Sequence, residues 1–331
     1  MNPDSTLQIC DLRVTVPGAS ARVPAVDGVS LSVGRGRTLG LVGESGCGKS
    51  LTALGVMRLV RAPVKVESGD VTIDGVSLEG MTPSQIRHVR GRRIGMLFQE
   101  PGAALNPTYT CGWLIAETLR EHMDVTRREA RAAAIDALVQ VHLPDPDAIA
   151  KRYPHQLSGG QQQRAMLALA LATGPSYLLA DEPTTALDVT LQAQMLDLLR
   201  EKRDVMGLGM LLISHDLGVV AQVADEVAVM YAGLIVERGD VASVFSSPEH
   251  PYTQGLLRAV PSLSGPAQTR SMAGSVPAPG EITVGCRFAP RCPLADKRCR
   301  TEEPVLQIGE RHTAACWYPG QNIWKEASGR E

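Results

Sequence analysis

Aromatic side chains are scarce in this chain: 331 residues hold three Phe, six Tyr and three Trp. A buried core must therefore be mostly aliphatic, and the 44% apolar content is enough to build one. Long apolar runs are also missing, since none approaches the roughly 18 residues that a membrane helix needs. Met1–Leu12 lacks the basic-then-apolar order of a secretory leader. Neither sign of charge dominates, and a net charge of -2 gives no general attraction to nucleic acid or acidic lipid. The seven cysteines are an odd number, which argues against a disulfide scaffold in a reducing compartment. These absences leave a cytosolic globular protein of about two domains, attached to a membrane only through partners.

The stretch that organises the rest is Gly43-Glu44-Ser45-Gly46-Cys47-Gly48-Lys49-Ser50, of the form G-x-x-x-x-G-K-S/T. The apolar run Thr38–Val42 enters it, and a helical pattern with Leu51, Leu54 and Met57 leaves it. Glycines let successive N–H groups turn inward toward an anion at a helix N-terminus. Lys49 would reach the β- and γ-phosphates of a nucleotide, and Ser50 would take a place on Mg²⁺. A glycine-rich turn with no ligand is the alternative, and a chance match in a chain this long is roughly 1 in 100. The motif therefore needs its companions.

Before the loop, Leu7–Val33 reads as several short strands, with Pro17-Gly18 and Asp27-Gly28 as turns. After it come a strand at Gly69–Gly75, a basic helix face at Arg87–Arg93 and a strand at Ile94–Phe98 ending in Gln99. The pattern is helical from there to about Thr173, with a capping box at Thr126–Glu129. Strands return at Tyr177–Ala180, Met210–Ile213 and Val227–Tyr231 with helices between them, which implies a parallel sheet covered on both faces. Ala232-Gly233 reads as a hairpin turn, and Pro261–Gly280 as a linker. No internal repeat is visible, so the chain holds one nucleotide-binding unit.

Leu178–Ala180 runs into Asp181 and Glu182. The first suits a Mg²⁺-holding acid, and the second, pointing elsewhere, suits polarising an attacking water. Leu157-Ser158-Gly159-Gly160-Gln161 opens a helix with small residues and exposed N–H groups, a second anion site that invites a partner chain's nucleotide. Gln99 and His215 each follow a strand. Either of them alone would be an ordinary polar loop residue.

Together these residues resemble the ATP-binding subunits of ABC transporters over about residues 7–245. Gly43–Ser50 matches Walker A, Gln99 the Q-loop and Leu157–Gln161 the signature. Leu178–Glu182 matches Walker B, Ala186-Leu187-Asp188 the D-loop and His215 the switch histidine. The resemblance implies a P-loop α/β core with an antiparallel β subdomain and an inserted helical subdomain at about 100–173. It implies ATP on Gly43, Ser45–Ser50 (Gly46, Cys47, Gly48 and Lys49 among them), Leu51 and Thr52, and Mg²⁺ on Ser50, Gln99 and Asp181. Glu182, His215 and Gln99 are the implied catalytic set. Ser158, Gly159, Gly160 and Gln161, with Asp188, would face the partner's ATP in a head-to-tail pair of ATPases. Where the family usually stacks adenine on an upstream aromatic, Asp11–Val42 contains none, so stacking is expected either to come from another residue such as Arg22 or to be weak.

The domain division expected is 1–243 for the ATPase and 244–331 for an extension that stands apart from the P-loop. Gly285-Cys286-Arg287-Phe288-Ala289-Pro290-Arg291-Cys292-Pro293, with Cys299 and Cys316, resembles the C-terminal extension of dipeptide/oligopeptide importer ATPases. That resemblance implies peptide import through two permease subunits fed by an extracytoplasmic binding protein, without nucleic acid. It also implies a 4Fe–4S cluster on Cys286, Cys292, Cys299 and Cys316. The residues themselves leave iron–sulfur, structural zinc and unliganded thiols open, although the gaps are wider than a zinc knuckle's. Arg287, Arg291, Lys297, Arg298 and Arg300 are expected to favour the thiolates. Other cargoes (nickel, a sugar) and a soluble ABC ATPase acting on nucleic acid or ribosomes are the alternatives. The latter usually carries two ATPase units or long coiled coils.

Overall fold

Strands form where the apolar pattern has period two or runs unbroken. In chain order they are β1 (Thr6–Pro17), β2 (Arg22–Gly34), β3 (Thr38–Val42), β4 (Lys65–Ile73), β5 (Val76–Ser77), β6 (Ile94–Leu97), β7 (Tyr177–Asp181), β8 (Gly209–Ser214), β9 (Glu226–Tyr231), β10 (Leu234–Asp240) and β11 (His312–Ala314). The computed structural model describes residues 5–185, 187–259, 272–307 and 311–321. Residues 261–271 of the expected linker, and Ala186 of the D-loop, lie outside them.

The opening segment differs from the sequence expectation. Two long strands replace several short ones, and Asp27-Gly28 lies inside β2 rather than between strands. Each strand contains a residue with left-handed backbone, Asp11 (φ 48) and Gly28 (φ 69). The extra residue shifts the phase of the inward face, from Leu7 and Ile9 to Leu12 and Val14, and from Val26 to Val29 and Leu31. A local phase slip looks like a turn in sequence, yet the strand continues through it.

The chain divides into two units, residues 1–7, 32–38 and 72–213, and residues 8–31, 39–71 and 214–331. In the first unit, β6, β7 and β8 are parallel, with Ile94 opposite Tyr177 and Tyr177 opposite Gly209. Every residue of these three strands is buried, which fits their unbroken apolar runs. The helices Cys111–His122, Arg127–Gln140, Pro146–Lys151 and Gly159–Leu171 fill the interval between β6 and β7. Thr126 and Glu129 form the expected capping box, and the basic helix Pro83–Arg92 buries none of its residues.

In the second unit, β2, β1 and β4 lie side by side. β3 pairs in parallel with β9, and β9 turns at Ala232-Gly233 into antiparallel β10. β11, from the extension, then pairs antiparallel with β10, placing His312 opposite Gly239 and Ala314 opposite Glu237. The helix Val241–Ser246 runs across the expected boundary at 243/244.

Candidate functional site

In the second unit, β3 is buried at all five positions and delivers the chain to the loop Gly43–Gly48, after which the helix Lys49–Val56 begins. Gly48 caps that helix with φ 112, and a Cβ there would stand 2.7 Å from the Ala25 carbonyl oxygen. Any side chain at this position would collide with backbone. Lys49 is 5% exposed, and its ammonium donates to the carbonyls of Gly43 (2.7 Å) and Glu44 (3.0 Å). Ser45 and Gly46 form the exposed tip, Ser50 and Leu51 are half-buried, and Thr52 is buried with its hydroxyl donating to the Gly48 carbonyl at 3.1 Å. Cys47 is fully buried, and burial pushes its thiol above the ordinary value. It packs the loop. His215, also in this unit, is exposed beside Asp216, which caps the helix Leu217–Val223.

In the first unit the structure brings Gln99 and Glu182 together, the Gln99 side-chain amide donating to the Glu182 carboxylate at 3.2 Å. Thr185 donates to the same carboxylate at 2.8 Å, and the Glu182 N–H bonds the Ile213 carbonyl at 2.9 Å. Glu182 has φ 47, a left-handed conformation that is uncommon outside glycine. Strain of this kind, held by several bonds, concentrates at functional positions. Asp181, one residue earlier, is buried at the end of β7.

Ser158 caps the helix Gly159–Leu171 in a full capping box with Gln161. Ser158 and Gly159 are exposed, and Gly160 lies against Leu191. The start of this 13-residue helix therefore opens to the surface. Asp188 caps Val189–Met206, accepting from the Leu191 N–H at 2.9 Å. Sequence reasoning missed Gln163, which is 2% exposed and donates to the Pro183 carbonyl at 2.8 Å. It ties the signature helix to the residue after Glu182. Within Gln161-Gln162-Gln163 only burial distinguishes it, and no sequence signal would have found it.

The four cysteines of the extension line one largely apolar pocket with His250, Phe288 and Trp317. The chain folds tightly around it. The Cys286 N–H donates to the Cys299 carbonyl at 2.7 Å, and Gly285 (φ 76) approaches so closely that a Cβ would meet that same oxygen at 2.7 Å. Among the described residues, no group of three or more His, Cys, Asp or Glu stands close enough to hold a single metal ion. Burial pushes the Cys286 and Cys292 thiols up to about 11, and raises Cys299 and Cys316. Three of the five neighbouring cations expected to support the thiolates are engaged elsewhere. Arg287 pairs with Asp27 and donates to the Ala232 carbonyl, Arg291 pairs with Glu44, and Arg298 pairs with Glu302 and covers the Trp317 ring.

The Arg291–Glu44 pair also corrects the expectation that the extension stands apart from the P-loop. Arg22, the candidate for adenine stacking, has its guanidinium edge bonded to Thr15 (2.8 and 2.7 Å) and the Pro63 carbonyl (2.8 Å), so only its flat face is left.

A glycine-rich phosphate loop with a buried lysine, a strained acid after an apolar strand and an open small-residue helix start define a nucleotide-hydrolysing cassette of the ABC class. The comparisons agree. Residues 26–185 match the ABC transporter family, and residues 236–299 match the C-terminal region of oligopeptide/dipeptide transporters. A probable peptide ABC transporter ATP-binding protein of Sinorhizobium fredii is 46% identical over 95% of each chain. The dipeptide transport ATP-binding protein of Escherichia coli is 43% identical over 95% of this chain and 96% of its own. Among solved structures, an ATP-binding cassette captured as a dimer with ADP and phosphate aligns at TM-score 0.64 and 26% identity, covering 71% of this chain and 98% of that one. The chain belongs to the ATP-binding proteins of ABC transporters, in the branch that carries the oligopeptide/dipeptide C-terminal region. It is an ATPase with the ABC cassette fold. No helix among the described residues is long and apolar enough to cross a membrane.

Proposed function

We propose that this chain hydrolyses ATP to power import of di- or oligopeptides. It would work as one of a pair of such ATPases at the cytoplasmic face of the cytoplasmic membrane. Two permease subunits would follow the motion of the pair, and an extracytoplasmic binding protein would deliver the cargo to them. The observation that carries this reading is the joining of a complete cassette to the oligopeptide/dipeptide C-terminal region in one chain, with relatives named for peptide transport along 95% of its length.

In this reading Lys49 faces the β- and γ-phosphates, with Gly43, Ser45, Gly46, Cys47, Gly48, Leu51 and Thr52 shaping the cradle and Ser50 as a Mg²⁺ ligand. In the other unit Asp181 is a Mg²⁺ carboxylate, Gln99 orients Glu182, and Glu182 polarises the attacking water. His215 would stabilise charge developing on the transferred phosphate. Ser158, Gly159, Gly160 and Gln161 would meet the partner's nucleotide, with Asp188 holding the adjoining helix. The test is uptake in cells whose only copy carries Glu182→Gln. Import of labelled dipeptides or tripeptides is expected to stop while sugar and nickel uptake continue. Loss of sugar or nickel uptake with peptide uptake intact would overturn the cargo.

We further propose that Cys286, Cys292, Cys299 and Cys316 hold a 4Fe–4S cluster. The four cysteines line one largely apolar pocket, and four thiolates are the usual donor set of such a cluster. Such a cluster supplies one-electron chemistry when bound, or simply ties the four chain segments together. Protein purified without oxygen is expected to be brown, with about four iron and four sulfide per chain, and less in any Cys→Ser variant. Stoichiometric zinc, or no metal, would overturn the assignment.

A further inference from the structure

Glu44 is a variable position of the P-loop motif, yet all three of its polar handles are in use. Its N–H donates to the Tyr252 hydroxyl at 2.8 Å. Its carbonyl accepts from the Lys49 ammonium at 3.0 Å and from the Cys47 N–H at 3.3 Å. Its carboxylate is gripped at both oxygens by Arg291, at 2.6 and 3.0 Å. Two of these four partners, Tyr252 and Arg291, come from the C-terminal extension.

Arg291 is itself fixed in place. Its side chain is 6% exposed, its Nε donates to the Ala273 carbonyl at 3.0 Å, and the guanidinium lies over the Tyr231 and Phe288 rings at 5.8 and 5.9 Å. Beneath it Tyr231, Tyr252 and Phe288 pack together, with centroids 4.6 Å apart for the two tyrosines and 5.2 Å for Tyr231 and Phe288. In a chain so poor in aromatics, this platform holds three of the twelve. A bidentate pair on a rigid aromatic floor fixes both the distance and the direction of its carboxylate.

We propose that Arg291, seconded by Tyr252, is a positioning residue for the ATPase reaction. Through Glu44 it holds the P-loop, and with it the Lys49 ammonium, in the shape that receives the phosphates. The inference rests on the reading of Gly43–Ser50 as the ATP site. Neither residue touches the nucleotide. Both raise the fraction of chains whose loop is ready to bind, and apparent affinity scales with that fraction.

The experiment is a titration of the full-length chain with a fluorescent ATP analogue, alongside thermal melting and limited proteolysis. Arg291→Ala is expected to raise Kd about tenfold, as when about a tenth of the loops remain competent. Glu44→Ala should do the same, and the double variant should be no worse than either single one. Exchanging the charges, Arg291→Glu with Glu44→Arg, should recover part of the loss, whereas each exchange alone should not. Tyr252→Phe removes one hydroxyl from an intact ring and should raise Kd by a smaller factor without altering melting. Lys49→Ala is the control for the underlying reading. If it weakens binding while Arg291→Ala and Tyr252→Phe, both folded, leave Kd unchanged, the positioning role is overturned. If the Arg291→Ala and Glu44→Ala effects multiply, the two residues do not act through each other, and the inference fails. If Lys49→Ala itself leaves binding intact, the ATP-site reading fails instead.

Discussion

At Gly48 a helix begins inside the protein. Its cap is a left-handed glycine, its first residue is a buried lysine, and its approach loop is held from behind by Arg291 and Tyr252. At Ser158 another helix begins at the surface, with an uncharged cap that bonds only its own first turn. Both starts present backbone N–H groups, so both have the polarity of an anion site. The first adds a full positive charge and a prearranged loop, the ingredients of binding by a single chain. The second has neither, and its exposed small residues suit a phosphate already held by something else. In the proposed reading one chain would supply the phosphate loop for one nucleotide and the signature for another, and a solved relative is a dimer.

The largest effect should come from the acid that serves neither start directly. Glu182→Gln keeps the bonds from Gln99 and Thr185 possible but removes the charge that, in the proposed mechanism, would polarise water. Turnover of the assembled transporter should fall about 10²- to 10⁴-fold, with ATP affinity unchanged. A steady-state phosphate assay beside a binding titration reads both, and normal turnover would remove Glu182 from the chemistry.

Next, the two helix starts should separate under mutation. Lys49→Ala loses a charge-assisted contact worth about 1.5–3 kcal/mol, so Kd for ATP should rise about 10- to 150-fold in the isolated chain. Ser158→Ala should leave that Kd alone and lower hydrolysis only once two ATPases are assembled. Dilute monomer hydrolysing as fast as the complex, or Ser158→Ala weakening binding by the lone chain, would break the comparison.

The smallest effect concerns the floor beneath the enclosed start. His250 is 1% exposed and its ring Nδ1 accepts the Tyr252 N–H at 3.0 Å, while its backbone N–H donates to the buried Glu237 carboxylate at 2.9 Å. Burial lowers its pKa from 6.5 to about 3, so the folded chain holds it neutral. Protonation favours the unfolded chain. The His250 contribution is therefore intact above about pH 6.5 and is lost as pH falls toward 3, at up to about 1.4 kcal/mol per pH unit. Between pH 7 and 5 the wild type should lose about 2 kcal/mol more stability than His250→Asn, whose amide oxygen still accepts the Tyr252 N–H. Parallel melting curves at the two pH values would exclude His250 as the source.

Much of this was legible in one dimension, for identifiable reasons. Phosphate-loop chemistry depends on residue type at fixed short spacing, so Gly43–Ser50, Leu157–Gln161 and Asp181-Glu182 can be read without a fold. Unbroken apolar runs gave β6, β7 and β8, and a capping pattern gave the start at Thr126. What short-range pattern misread was phase: Asp11 and Gly28 each insert one residue, and a bulge and a turn look alike in sequence.

What only the tertiary structure decided is where charged and aromatic side chains from distant segments meet. Nothing in the order of residues says that Arg291 grips Glu44, that Gln163 holds Pro183, or that Arg287 pairs with Asp27. The sequence by itself determined the grip on the nucleotide, because that grip is local backbone geometry with one lysine. The tertiary structure alone decided what steadies the loop, because that depends on which partly buried carboxylate each arginine meets in the fold.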